Sequence, residues 1–135
     1  MKLDAVYLAV MFAAQFFIFS KYSPEFLIDY NLELWEGIVS VLCAAYPCLR
    51  RRFAVDGRIA FGYSLLRLAT IFVVSTTASL LAIGFTARDG FKEWELGAFL
   101  IAVPPAVVGI VSYALSYAVL RLRPVINRIR SARQP

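Results

Sequence analysis

Long apolar runs without charged residues dominate this chain and alternate with short polar segments. A transmembrane helix needs roughly 20 mainly apolar residues to cross the hydrocarbon core of a bilayer. The pattern predicts spans at about residues 3–20, 33–49, 61–86 and 95–120. The predicted fold class is therefore all-α, a compact bundle of four transmembrane helices that forms a single membrane domain over residues 1–135.

The first two spans are less clearly defined than the others. The first follows Lys2 and resembles a secretory signal, but Asp4 near its start, several bulky phenylalanines and no clean small-x-small cleavage site favour an uncleaved helix. In the second, uncharged residues run only over 37–49, so Leu34 and Trp35 must be included for the helix to cross. We interpret both segments as transmembrane helices.

The basic residues predict the orientation. They concentrate in the loop 50–58 and the tail 121–135, whereas the connections 21–36 and 88–95 hold most of the acidic residues. Cytoplasmic segments of membrane proteins carry an excess of Lys and Arg, so we expect both termini in the cytoplasm of a bacterial-type inner membrane. We also expect a short amphipathic basic C-terminal helix after a break at Pro124. The arginines expected to set topology and contact lipid headgroups are Arg50, Arg51, Arg52, Arg121 and Arg123.

Composition excludes several classes of function. The chain is 61% hydrophobic and 17% charged, against about half and a quarter in soluble domains. Its net charge of +5 sits beside apolar runs, so we expect membrane lipids rather than nucleic acid as partners. The lack of histidine excludes a Cys/His zinc site, a histidine-ligated haem and a Ser-His-Asp triad. Cys43 and Cys48 fall on different helix faces and should not pair. We expect no cofactor and no metal.

Arg67 is the main candidate for a functional polar residue. It lies about two turns into the third run. One interpretation is a buried cation that binds an anionic substrate or a carboxylate, with Asp4 and Asp56 as the carboxylates on the same side. The favoured alternative is that the span begins near Leu65 and that Arg67 reaches the inner headgroups.

The other polar residues within the spans have a structural and a functional interpretation. Gln15 could meet a polar solute, but a hydrogen bond between helices is favoured. Ser75, Thr76 and Ser79 could line a hydrophilic path near the bilayer centre. Hydroxyls on membrane helices often bond instead to the carbonyl one turn back, and this interpretation is again favoured.

Small residues and two prolines distinguish the fourth span. Pro104 and Pro105 remove two backbone donors, and a break at membrane depth needs a protein neighbour or a water-filled cavity to satisfy the freed carbonyls. A stripe of small residues at three- and four-residue steps predicts a close-packing face for another helix. Its members are Ala98, Ala102, Ala106, Gly109, Ser112 and Ser116.

Two functions remain in competition, and neither is enzymatic, because no acid/base or nucleophile/base pair can be assembled from the spans. The favoured hypothesis is a non-catalytic inner-membrane protein that binds another protein. It would be an accessory subunit of a membrane complex or an immunity protein against a toxin acting at the inner membrane. The alternative is a small oligomeric transporter or channel for an anionic or lipid-linked solute, in which Arg67 and the central hydroxyls would line the path.

Overall fold

The computed structural model describes residues 2–20, 32–53, 60–86 and 94–134. Within them lie four helices: α1 (Lys2–Ser20), α2 (Leu32–Phe53), α3 (Phe61–Thr86) and α4 (Trp94–Ala132). Each is long and apolar enough to span a membrane, and they pack together as a bundle. The prediction of an all-α bundle of four membrane-spanning helices is confirmed, and the chain is a multi-pass membrane protein.

Two helix ends differ from the sequence-based expectation. α2 continues through Arg50, Arg51 and Arg52 to Phe53, although the loop was expected to begin at Arg50; the remainder of that loop, 54–59, lies outside the described residues. The expected break at Pro124 is not found, since α4 runs through it to Ala132 without a separate tail helix. Pro124 leaves the carbonyl of Leu120 without its usual helical donor, and the side chains of residues 121–134 that surround this proline are exposed.

The helices are arranged as two pairs of parallel helices. α1 packs mainly on α3, and α2 packs mainly on α4. The two helices of each pair run in the same direction. In α1 and α3, for example, Asp4 contacts Arg67, and further along both helices Gln15 contacts Thr76. α1 and α2 run in opposite directions, because Tyr7 contacts Leu42 while Asp4 contacts Tyr46. Consecutive helices therefore alternate in direction, but the largest interfaces join helices that are not consecutive in the chain.

Small residues bring α2 and α4 close together. Gly109 is buried, and a Cβ atom built there would lie 2.9 Å from Sγ of Cys43 and 3.0 Å from Cγ1 of Val39. At the same interface, the hydroxyls of Ser40 and Ser112 are 2.7 Å apart. Polar and small side chains at such interfaces allow close backbone approach and hydrogen bonding between membrane helices.

A tryptophan on α2 supports the proline-containing part of α4. Pro105 has no N–H group, so the carbonyl of Ile101 loses its usual helical donor. Nε1 of Trp35, a fully buried side chain, donates a hydrogen bond to that carbonyl at 3.2 Å. A protein neighbour therefore satisfies this carbonyl, and the helix continues through the proline pair.

We predict that Gly109→Ala lowers the stability of the bundle. The added methyl group overlaps Cys43 and Val39, and overpacking of this kind typically costs ~1–3 kcal/mol. The matched control is Gly37→Ala on α2, where a Cβ meets nothing within 4 Å. Alanine favours helix over glycine by about 1 kcal/mol, so Gly37→Ala should be neutral or stabilising. Thermal unfolding in detergent micelles measures both, and a Gly109→Ala variant at least as stable as Gly37→Ala would contradict the close approach.

A double-mutant cycle tests the hydrogen bond from Trp35. We expect Trp35→Phe to cost ~1–3 kcal/mol, because it leaves the Ile101 carbonyl without a donor. In a Pro105→Ala background the new backbone N–H can bond to that carbonyl, so the same substitution should cost clearly less. The loss of ring volume is equal in both backgrounds. Equal costs, measured by unfolding in micelles, would show that the indole N–H contributes nothing here.

Candidate functional site

A cluster of charged and phenolic side chains joins three helices at one end of the bundle. Nη1 of Arg67 on α3 donates to Oδ2 of Asp4 on α1 at 2.7 Å. The hydroxyl of Tyr46 on α2 donates to Oδ1 of the same carboxylate at 2.8 Å. Nη1 of Arg50 donates to the Tyr46 hydroxyl at 2.8 Å and lies 4.0 Å from Asp4 Oδ1. We call this group the arginine cluster.

Aromatic rings lie beside both guanidinium groups. Cζ of Arg67 is 4.9 Å from the centre of the Tyr63 ring, and Cζ of Arg50 is 5.4 Å from it. Tyr7 packs edge-on against Tyr46 at 5.1 Å and donates to the carbonyl of Leu42. Cation–π contacts and the shared carboxylate therefore hold the two arginines together.

The cluster lies close to one surface of the membrane. α1 contains 19 residues, or about 28 Å of helix, close to the ~30 Å of the hydrocarbon core. Asp4 stands in its first turn, so it lies near the interface when α1 spans the core. Tyrosines are enriched at this depth in membrane proteins. Arg67 contacts Asp4, one of the two carboxylates expected on its side, and its side chain remains 37% exposed.

The tyrosines of the cluster were missed in the sequence, although they carry a recognisable signal. Tyr46 precedes Arg50 by four residues and Tyr63 precedes Arg67 by four, which places each pair on one helix face. A third pair, Tyr117 and Arg121 on α4, has the same spacing, and Nη2 of the arginine donates to the phenol oxygen at 3.2 Å. A Tyr-x-x-x-Arg pattern at one end of three helices would have indicated an arginine site.

The polar residues near the centre of the spans contact one another and the backbone. Nε2 of Gln15, which is 0% exposed, donates to Oγ1 of Thr76 at 3.0 Å. Ser75 donates to the carbonyl of Phe72 on its own helix, and Ser79 lies 3.5 Å from the carbonyl of Phe12. Oε1 of Gln15 is a buried acceptor without a partner among the described residues. The group therefore joins α1 to α3, and it lies well away from Arg67.

The predicted packing stripe on α4 is only partly turned toward α2. Gly109 and Ser112 face α2, and Ser116 donates to the carbonyl of Ala44 at 2.6 Å. Pro105 is fully buried, whereas Ala102 and Pro104 are half-buried. The Ala98 side chain lies outside the described residues.

The remaining arginines singled out in the sequence stand outside the cluster. Arg51 and Arg52 are exposed at the end of α2. Arg121 and Arg123 are exposed on α4, the first beside Tyr117. Cys43 and Cys48 are free thiols, the first buried and the second exposed. In the part of the chain that the structure describes, no three His, Cys, Asp or Glu side chains are grouped as a metal site would require.

The fold and these contacts define a polytopic helical membrane protein with a shared-carboxylate arginine cluster at one end. No protein-family model, curated protein or solved structure matches the chain.

We predict that Asp4→Asn destabilises the bundle by ~1.5–3 kcal/mol, the usual range for a hydrogen bond to a charged group. The substitution leaves two guanidinium groups close together without their carboxylate. Adding Arg67→Gln to Asp4→Asn should recover part of this loss. The control is Glu33→Gln, which removes an exposed carboxylate from the first turn of α2. Equal melting temperatures for Asp4→Asn and Glu33→Gln in micelles would rule out a structural role for the cluster.

Proposed function

We propose that this chain is a non-catalytic protein of the bacterial inner membrane, with both termini in the cytoplasm, that acts by binding another protein. It would serve as an accessory subunit of a membrane complex or as an immunity protein against a toxin that acts at this membrane. The excess of arginine at the end of α2 and along the C-terminal part of α4 supports the orientation.

The observation that carries the proposal is the length of α4. It has 39 residues, or about 58 Å of helix, almost twice the ~30 Å hydrocarbon core. Tyr117 packs against Phe61, the first residue of α3. The segment 121–132 therefore continues for about 18 Å beyond the start of α3, and all of its side chains are exposed.

The surface of this extension is suited to binding a protein partner. Its apolar side chains recur at three- and four-residue steps and form one stripe, which we call the tail stripe: Leu122, Val125, Ile126 and Ile129. At 3.6 residues per turn, Arg121 and Arg128 lie along one edge of the stripe, and Arg123 and Arg130 along the other. Such a helix fits an apolar groove with acidic rims on a partner.

The interior contacts also favour binding over transport. The hydroxyls of Ser75 and Ser79 are directed at backbone carbonyls, and Thr76 accepts a bond from Gln15. Groups engaged in this way stabilise helix packing and are less suited to solvating a passing ion.

One observation favours the alternative, a small oligomeric transporter or channel for an anionic or lipid-linked solute. Oε1 of Gln15 is a fully buried acceptor that lacks a partner among the described residues, and buried polar atoms of this kind usually bond to something. A polar solute or a second copy of the chain could supply a donor.

Site-specific photo-crosslinking in native membranes tests the proposal. A photoreactive phenylalanine analogue at Val125 or Ile129 should capture one defined protein at a fixed ratio. The same analogue at Asn127 or Ser131, on the opposite polar face, should capture much less. Ile126→Asp should abolish the complex, because it places a charge in the apolar contact, while membrane levels remain normal.

Two outcomes would contradict protein binding through the tail. Products that contain only lipid, equally from both faces, would mean that the segment is a membrane-surface helix. A homo-oligomer crosslinked from the spans, with none from the tail, would favour the transporter and make Gln15 the residue to test.

A further inference from the structure

We propose that the arginine cluster is a binding site for an anionic phosphodiester or phosphate group, held by Arg50 and Arg67. This site is separate from the tail stripe and does not depend on it. Guanidinium groups match phosphate in geometry, because their planar fork can donate two parallel hydrogen bonds to two oxygens.

The charges of the cluster favour an additional anion. Arg50 and Arg67 both lie within 4.0 Å of Asp4, so two positive charges share one negative charge. Arg51 and Arg52, exposed next to Arg50, add to the positive potential at this end. An excess charge at the edge of a low-dielectric core is stabilised by a nearby counter-ion more strongly than it would be in water.

The two guanidinium groups are held in place and are still accessible. The side chains of Arg50 and Arg67 are 21% and 37% exposed, and that of Asp4 is 24% exposed. Each arginine contacts Tyr46 or Asp4 through Nη1, and a guanidinium has five N–H donors in all. Both can therefore bind phosphate oxygens without giving up these contacts. Contacts from three helices fix the side chains of Arg50 and Arg67, so these side chains lose little conformational entropy when they bind an anion.

The depth of the cluster brings it to the level of lipid phosphates. Asp4 lies in the first turn of α1, and the half-exposed ring of Tyr63 lies beside both arginines. Anionic lipid headgroups and soluble phosphate esters offer the same chemical group at this surface. A zwitterionic headgroup carries its own ammonium group, so we expect the site to prefer an anionic one.

Binding to the purified full-length protein tests the site. The probes are phosphatidylglycerol, phosphatidylcholine, glycerol 3-phosphate and inorganic phosphate, each added to protein in a neutral detergent and followed by native mass spectrometry and melting temperature. We expect phosphatidylglycerol to bind more tightly than phosphatidylcholine and to raise the melting temperature. Competition by glycerol 3-phosphate or inorganic phosphate would identify a soluble phosphate as the ligand; its absence would identify the lipid headgroup. No preference for any anionic probe would overturn the proposal.

Substitutions that are expected to change the affinity for the anionic probe in opposite directions separate an effect on binding from an effect on folding. Arg67→Gln should weaken the anionic probe roughly tenfold, the scale of one charge-assisted contact. Arg67→Lys, which keeps the charge and loses the fork, should fall between this variant and the wild type. Asp4→Asn should tighten binding, because it removes the negative charge beside the guanidinium groups that repels a bound anion. The control is Arg123→Gln, an exposed tail arginine, which should bind as the wild type does.

The variants also define the results that would refute the site. Folded Arg67→Gln that binds phosphatidylglycerol as tightly as the wild type would refute it, as would an equal loss in Arg123→Gln. If Arg67→Gln fails to fold, Arg67→Lys decides, since binding as tight as that of the wild type there is incompatible with the proposal. Ile126→Asp should retain lipid binding, so a failure of the tail interaction and a failure of this site are distinguishable.

Discussion

The carboxylate of Asp4 is the point at which polar contacts join three helices. It accepts from Arg67 on α3 and from Tyr46 on α2, and Arg50 reaches it through that phenol. Apolar packing distinguishes poorly between neighbouring helices in a bilayer, because lipid tails are as apolar as the side chains they replace. A charged hydrogen bond near the membrane surface is directional. It fixes which residues of one helix lie at the same height as which residues of its neighbour. Asp4 therefore helps to fix the register of α1 against both neighbours at once.

The attachment of α4 relies on a different kind of interaction. It is held mainly by α2, through the close approach at Gly109 and the donor that Trp35 gives to the Ile101 carbonyl. These contacts lie on the pair α2–α4, whereas Gln15 and Thr76 lie on the pair α1–α3. Each pair of helices therefore has its own buried contact that fixes how the two helices pack. In α2–α4 it is the close steric fit at Gly109, and in α1–α3 it is the hydrogen bond between Gln15 and Thr76.

The helices could be predicted from the sequence, but their pairing could not. Uncharged runs of sufficient length define spans because every backbone polar group must be satisfied inside the bilayer. In α4, lipid-facing and protein-facing residues are both apolar, as exposed Val107 and buried Ile101 illustrate, so composition does not identify the packed face. The sequence marks Arg67 as unusual and leaves Asp4 and Asp56 as carboxylates on its side, but no local pattern selects Asp4, which is 63 residues away in the chain. The Tyr-x-x-x-Arg spacing is the local feature of the sequence that indicates the arginine cluster.

The position of the arginine cluster gives the proposed ligand a structural consequence. Two polar contacts join α1 to α2: Tyr7 with Leu42, and Asp4 with Tyr46. Both lie at the same end of the bundle as Arg50 and Arg67. One of these arginines belongs to each helix pair. A phosphate group bound by both arginines would therefore link the pair α1–α3 to the pair α2–α4. The direct interface between the two pairs is smaller than the interface within either pair, so this link would strengthen the bundle where it is weakest in packing. Lipid binding through Arg50 on α2 and partner binding by the α4 tail would then act on the same pair of helices, since α4 packs mainly on α2.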